Sequence, residues 1–221
     1  MNRTLKSLND IIPELRFLDE LDARLHQTFY KNWDLGMFLR FILDRCDRTA
    51  TILDVGCVGN PLLFNLAGHG YSRLYGIDSQ LSPQTVYGHA AIRYLQADLM
   101  RTPFRGAQFD CVTSLSVVEH GVDIDRYFGE MARILKPAGV LLTSTDYWPR
   151  KIRTWAVPRR WTFGLPWRIF SEKEIRRVLG VSHRHGFTLQ GSVDLSAEDT
   201  VVHFLGKAYT FVAFALEKPA S

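Results

Sequence analysis

Cysteine is scarce in this chain. Cys46, Cys57 and Cys111 are the only three in 221 residues. An odd set without metal-ligand spacing excludes a disulfide framework and a zinc site, and it suits reduced thiols. Long apolar runs are missing too. No stretch approaches the roughly eighteen apolar residues of a membrane span, and "MNRTLKSLNDIIPELRFLDE" at the start holds no uninterrupted apolar core of the kind a secretory leader needs. A cytoplasmic protein is therefore expected. Internal repeats and low-complexity tracts are also lacking. The formal net charge of +4 is too small to define a partner unless it clusters.

What is present is an apolar content of 46% against 23% charged residues, enough for one globular domain over residues 1–221 with a substantial core. Residues 1–48 read as helices. Leu18, Leu21, Leu25 and Phe29 fall at helical spacing, and Asp34 can cap a second helix in "LGMFLRFILDRC". From residue 50 the period changes to short apolar runs, "TILDVG", "RLYGID", "IRYLQ", "FDCVTSLSVV" and "GVLLTST", of the kind that forms parallel strands buried on both faces. Residues 171–221 add a helix, with Ser171 and Glu174 at capping-box spacing and Gly186 beyond its end. Two late strands follow, near residues 187–195 and 207–217. The pattern predicts an α/β fold: a doubly wound, mostly parallel sheet of about seven strands, whose ligand lies beyond the carboxyl ends of the strands.

The stretch "TILDVGCVGNP", residues 51–61, then reads as the first strand, a ligand-binding turn and the start of a helix. Gly56 can take positive φ, Val58 resists it, and Asn60 and Pro61 suit a helix start. The turn is expected to present backbone amides to a ligand with fewer glycines than usual. Asp54, Asp78 and Asp98 follow the first three strands, so a nucleoside along that edge would meet carboxylates suited to its hydroxyls and amino group.

In these motifs the sequence resembles the class I S-adenosylmethionine-dependent methyltransferases. "LDVGCVGNP", "GID", "ADL", "FDCVTSLSVVEH" and "ILKPAGVLLTSTDY" look like five of that family's motifs in order, covering a cofactor-binding core at residues 50–146. The resemblance implies a Rossmann-like methyltransferase fold and S-adenosylmethionine as cofactor. It puts Asp54, Gly56 and Cys57 in the turn around the methionine end, Asp78 at the ribose, and Asp98 with Leu99 beside adenine. Val58 and Asn60 stand where the family usually has glycine. A nicotinamide dehydrogenase would also place an acid at Asp78, but "GCVGNP" lacks the GxGxxG spacing. A binding or regulatory protein that kept the fold without catalysis is the reading from another class.

Methyl transfer to a hydroxyl calls for positioning and a base. His120, just after the fourth strand, is the first candidate. Asp146 and Tyr147 after the fifth strand and His203 near the end are the others. Base methylation normally uses an Asn or Asp followed by Pro-Pro and an aromatic at the fourth strand end, which is absent, so no nucleic-acid substrate is expected. The later segments look similar to small bacterial methyltransferases of polysaccharide assembly. The resemblance implies an oxygen of a sugar or glycan precursor as acceptor, with a non-glycan small molecule such as a quinone precursor as the alternative. Between Tyr147 and Ser171 lie six Lys and Arg residues and four tryptophans without one acid. This segment, residues 147–170, reads as a lid in which Arg159, Arg160 and Trp148 bind an anionic acceptor. It also suits contact with an anionic membrane surface.

Overall fold

The computed structural model describes residues 1–220. Five parallel strands form its centre: β2 (Thr51–Val55), β3 (Arg73–Asp78), β4 (Ile92–Gln96), β5 (Phe109–Leu115) and β6 (Leu135–Tyr147). Their spatial order is β6, β5, β2, β3, β4, so the chain reverses direction across the sheet between β2 and β5. β9 (Lys207–Glu217) runs antiparallel along β6, from Val140 opposite Glu217 to Tyr147 opposite Thr210.

The sheet has nine strands, against the seven expected. The strand predicted over 187–195 shrinks to β7 (Thr188–Leu189). Its place beside β9 is shared with β1 (Arg3–Thr4), and the Asn2 carboxamide oxygen accepts the Ala215 N–H at 2.8 Å. β8 (Val202–Phe204) forms a hairpin with β9 through Leu205 and Gly206, both at positive φ.

Helices cover both faces. α1 (Ile12–Glu20), α2 (Lys31–Arg45) and α3 (Leu62–Gly68) bury Leu18, Trp33, Phe38 and Leu62 on one side. α4 (Ile124–Ile134) and α5 (Glu172–Arg184) bury Tyr127, Phe128, Met131 and Ile175 on the other. The capping box of α5 forms, with Ser171 N–H donating to Glu174 at 2.8 Å, and Gly186 takes φ +86° past its end.

The N-terminal helices depart from their sequence reading. α1 stops at Glu20, and Leu25 and Phe29 are about half exposed (48% and 50%). α2 begins one turn before Asp34. Asp34 therefore does not cap it; its side chain is wholly buried and meets the sheet. Among the described residues no helix is long and apolar enough to cross a membrane.

Candidate active site

The carboxyl ends of β2 and β3 carry the first half of the site. Gly56 takes φ +71°, and a Cβ there would lie 2.4 Å from Val117, so only glycine lets the turn pass under β5's exit. Gly59, not Val58, supplies the second positive φ, at +73°. The turn's amides point inward, contrary to the expectation that they face a ligand. Gly56 N–H donates to Ile77 O (2.8 Å), Gly59 N–H to Thr85 O (2.9 Å), and Val58 N–H to the Asp78 carboxylate (3.3 Å).

Asn60 explains how a glycine-poor turn holds its shape. Its side-chain amide donates to Asp54 at 3.2 Å, and its carbonyl oxygen accepts from Leu62 N–H at 3.1 Å, tying strand to helix start. Pro61 precedes the first helical residue. Asp54 is fully buried, its other oxygen accepting from Thr113 at 2.6 Å. Burial pushes its carboxyl up to about 7, against the pull of the Thr113 hydrogen bond. Asp54 is thus the lock of the turn, facing the chain's interior. Cys57 is buried beside it, its thiol driven well above the usual range by burial.

Asp78 is different. It is half-exposed at the end of β3, held by the Val58 amide on one oxygen and the Gln80 amide (2.8 Å) on the other. Each oxygen keeps a lone pair for a further donor. Asp98 is exposed two residues after β4, where it accepts from Met100 N–H at 2.8 Å and shapes its own turn. Leu99 is half-buried next to it.

The ends of β5 and β6 carry the second half, which is more acidic than the sequence suggested. Leu142, Ser144 and Asp146 share the α2 face of β6, while Tyr147 points to the α5 face. There Tyr147 is wholly buried and donates its hydroxyl to Leu195 O at 2.7 Å. The structure thus separates Tyr147 from the other candidates and gives it a packing role. Asp146 is buried and accepts from Trp167 Nε1 at 2.7 Å. Burial, and then the neighbouring Glu119 charge, push it up to about 7. Glu119 is also buried, with one oxygen accepting from Thr145 at 2.9 Å, and desolvation raises its pKa.

Lys31 of α2 lies among these acids. Its ammonium is 3.3 Å from Asp34, donates to Ser116, and sits 3.6 Å from the centre of the Phe211 ring. Asp34 in turn accepts from Ser144 at 2.6 Å. His120 is partly buried, and burial lowers its pKa, so it is neutral at physiological pH. Two buried atoms here have no hydrogen-bond partner among the described residues: Glu119 Oε1 and His120 Nδ1. These two neighbouring residues therefore keep hydrogen-bonding capacity that the described chain does not use.

Sequence reasoning missed Glu119, Lys31, Asp34 and Trp167 as members of one cluster. The pairing of glutamate with histidine in "VVEH" was the one local signal for it. His203 is exposed on β8.

Residues 148–170 lie across this site. Trp148 N–H donates to Phe170 O and Phe170 N–H to Asp146 O (2.9 and 3.0 Å), and Arg168 N–H to Glu119 O at 3.0 Å. Phe163 packs edge-on against His120 with ring centres 5.4 Å apart, and its carbonyl accepts from Gln80, two residues past Asp78, at 2.6 Å. The segment therefore bridges the two halves. Trp148 is half-buried at its base; Arg159 and Arg160 are exposed, with no ion pair to any described residue.

The parallel sheet with its reversed strand order is the fold that this chain shares with known proteins. Residues 53–143 match the "Methyltransferase domain" family. A ubiquinone biosynthesis O-methyltransferase of Bartonella tribocorum is 31% identical over 120 residues, which is 52% of this chain and 45% of that protein. Among solved structures, an S-adenosylmethionine dependent methyltransferase from Mesorhizobium loti superposes with a TM-score of 0.61 at 20% identity, covering 90% of this chain and all of the other. The cyclase SpnF gives 0.64 at 17%, covering 97% and 95%. Residues 53–143 are thus similar to a methyltransferase domain, and the fold is shared with S-adenosylmethionine dependent methyltransferases, whose cofactor is S-adenosylmethionine. The chain spans less than half the length of the Bartonella relative, and the cyclase shows that the fold alone does not set the reaction.

Proposed function

We propose that the protein transfers a methyl group from S-adenosylmethionine to a hydroxyl oxygen of a small acceptor, with a sugar or glycan precursor as the preferred class. The observation that carries this reading is the juxtaposition of a ribose-competent carboxylate, Asp78, with buried, unpaired acceptor atoms on Glu119 and His120 beneath one cover.

The residues present fit the cofactor. Asp78 has free lone pairs for two ribose hydroxyls; Gly56 lets the turn approach closely; Asp98 and Leu99 flank the adenine side; Asp54 and Cys57 keep the turn rigid from behind. When bound, S-adenosylmethionine supplies a methyl group already activated on a sulfonium, so the chain's part is alignment and removal of one proton. Alignment contributes about 7 to 11 kcal/mol to lowering such a barrier.

His120 is the base in this reading. Its imidazole is neutral, its Nδ1 is unpaired, and the Asp146 carboxylate opposes the burial that lowers its pKa. With the cofactor bound, Nδ1 would take the proton that the acceptor's hydroxyl gives up on methylation. Glu119 and Asp146 then stabilise the imidazolium. Carboxylates with free lone pairs also suit the hydroxyls of a polyol, and the half-buried Trp148 suits its apolar faces.

The second reading, a phenolic hydroxyl, is favoured by the name of the Bartonella relative. Labelled methyl transfer against sugar phosphates and against catechol-type phenols separates the two. Label in the sugars supports the first reading and label in the phenols the second. No cofactor binding by titration calorimetry would overturn both and leave a non-catalytic protein of the same fold.

A further inference from the structure

Thr154 donates its hydroxyl to Trp167 O, and together with the Trp148–Phe170 hydrogen bond this closes a base below residues 155–166. The loop above that base is unlike the rest of the surface. Trp155 is 83% exposed, Phe163 66%, Trp161 55% and Leu165 37%. Four of the ten exposed large hydrophobic side chains of the described chain thus gather in this one short loop. Arg159 and Arg160 stand on a single helical turn, Arg159–Trp161, between them, and Arg160 stacks over Trp161 at 5.2 Å. Arg150, Arg153 and Arg168 flank the loop, also exposed and without an ion pair to a described residue. No acidic residue occurs from 147 to 171.

Two bland accounts fail on these numbers. Tryptophans that fill a sheet's flank are buried, as Trp167 is at 7%. Arginines on an ordinary solvated face alternate with acids, as Arg176 does with Glu172 on α5. Exposed aromatics rimmed by unopposed cations mark a surface that leaves water for a negatively charged, partly apolar partner.

We propose that the 155–166 loop docks on an anionic lipid bilayer, its tryptophans and Phe163 entering the headgroup layer while Arg159 and Arg160 meet lipid phosphates. The charge is complementary and the aromatics are of the type that settles at membrane interfaces. A protein partner would call for a formed groove or a flat apolar face, whereas here the exposed aromatics alternate with arginines along one short loop. Because Phe163 also packs on His120, the surface that docks is the one that roofs the site.

The test is co-sedimentation of the full chain, without cofactor or acceptor, with vesicles of phosphatidylcholine alone and with phosphatidylglycerol added. Binding should be strong on the anionic vesicles, weak on the neutral ones, and lost at high salt. Arg159→Gln with Arg160→Gln should weaken it by about fivefold for each charge removed. Trp155→Ser with Trp161→Ser should remove the blue shift of tryptophan emission on vesicle addition. All four side chains are exposed, so these variants fold, which far-ultraviolet circular dichroism checks. A parent chain that stays in the supernatant overturns the proposal. So does equal sedimentation of the parent and the arginine variant, or equal binding to both vesicle types. None of these outcomes depends on methyl transfer, so this inference and the proposed function fail separately.

Discussion

The two halves of the site bury their carboxylates in opposite ways. At β2, Asp54 is enclosed by neutral donors, Thr113 and Asn60, and every amide in the turn nearby has a partner within the chain. At β5 and β6, Glu119 and Asp146 are enclosed with Lys31 and His120, and acceptor atoms are left unpaired. Asp54 and Asp146 are both raised to about 7. One carboxylate is buried among donors that fix a backbone path, whereas Glu119 is buried with one oxygen left without a partner among the described residues. Burial alone does not distinguish a structural acid from a reactive one; the partners do.

The sharpest way to break this comparison is His120→Ala. If the second half does the chemistry, turnover at saturation should fall by roughly a hundredfold or more, with cofactor affinity within a few fold. The lowered imidazole pKa also places the acid limb of the parent's turnover profile below pH 6.5, and the variant should lose that limb. Loss of cofactor binding with turnover retained would instead make His120 a wall of the first half.

Stability against pH gives the next largest effect. A carboxyl whose folded pKa is raised from 3.8 to about 7 holds its proton more tightly folded than unfolded. Its stability contribution is full below the unfolded value and is lost as pH rises through that window. For Asp54 this amounts to at most on the order of 4 kcal/mol. Asp54→Asn should remove that share of the decline in denaturant midpoint between about pH 4 and 7. An unchanged slope would show that Asp54 titrates normally and holds the turn in its ionised form rather than protonated.

Asp78→Ala should weaken S-adenosylmethionine binding by about 1 to 3 kcal/mol, as expected when a charged acceptor leaves a ligand's hydroxyls. Calorimetry that finds equal affinity would remove Asp78 from the ribose. The smallest effect is reserved for Asn60→Gly, which restores the glycine common in related turns. It should lower stability by about 1 kcal/mol through the lost Asp54 and Leu62 hydrogen bonds while cofactor affinity stays within severalfold. A large loss of affinity would mean that Asn60 touches the ligand.

The first half was legible in the sequence and the second was not, for a physical reason. Gly56, Asp78 and the strand ends lie within one β–turn–α–β stretch, where local spacing determines geometry. The inward turn of the amides was not legible, because it depends on Ile77 and Thr85 carbonyls supplied by β3 and the loop beyond it. Lys31, Asp34, Glu119, Asp146 and Trp167 come from four separate segments and meet only through sheet order. Asp34 even carried a misleading local signal, since an aspartate ahead of an apolar run looks like a cap. Tyr147 parts from Asp146 for a simpler reason: adjacent residues on a strand face opposite sides, and only Asp146 faces the cluster with Trp167.

The pairing of β1 with β9 has a kinetic consequence. Asn2 and Ala215 are 213 positions apart, so one edge of the sheet waits for the other end of the chain. At ribosomal speeds of about 5 to 20 residues per second, the first strand spends roughly ten seconds or more without its partner. From its own synthesis until β9 follows, β6 likewise has an unshielded flank. Contacts of such long range slow folding, and they make the nascent chain's exposed strand edge the point where a chaperone would act.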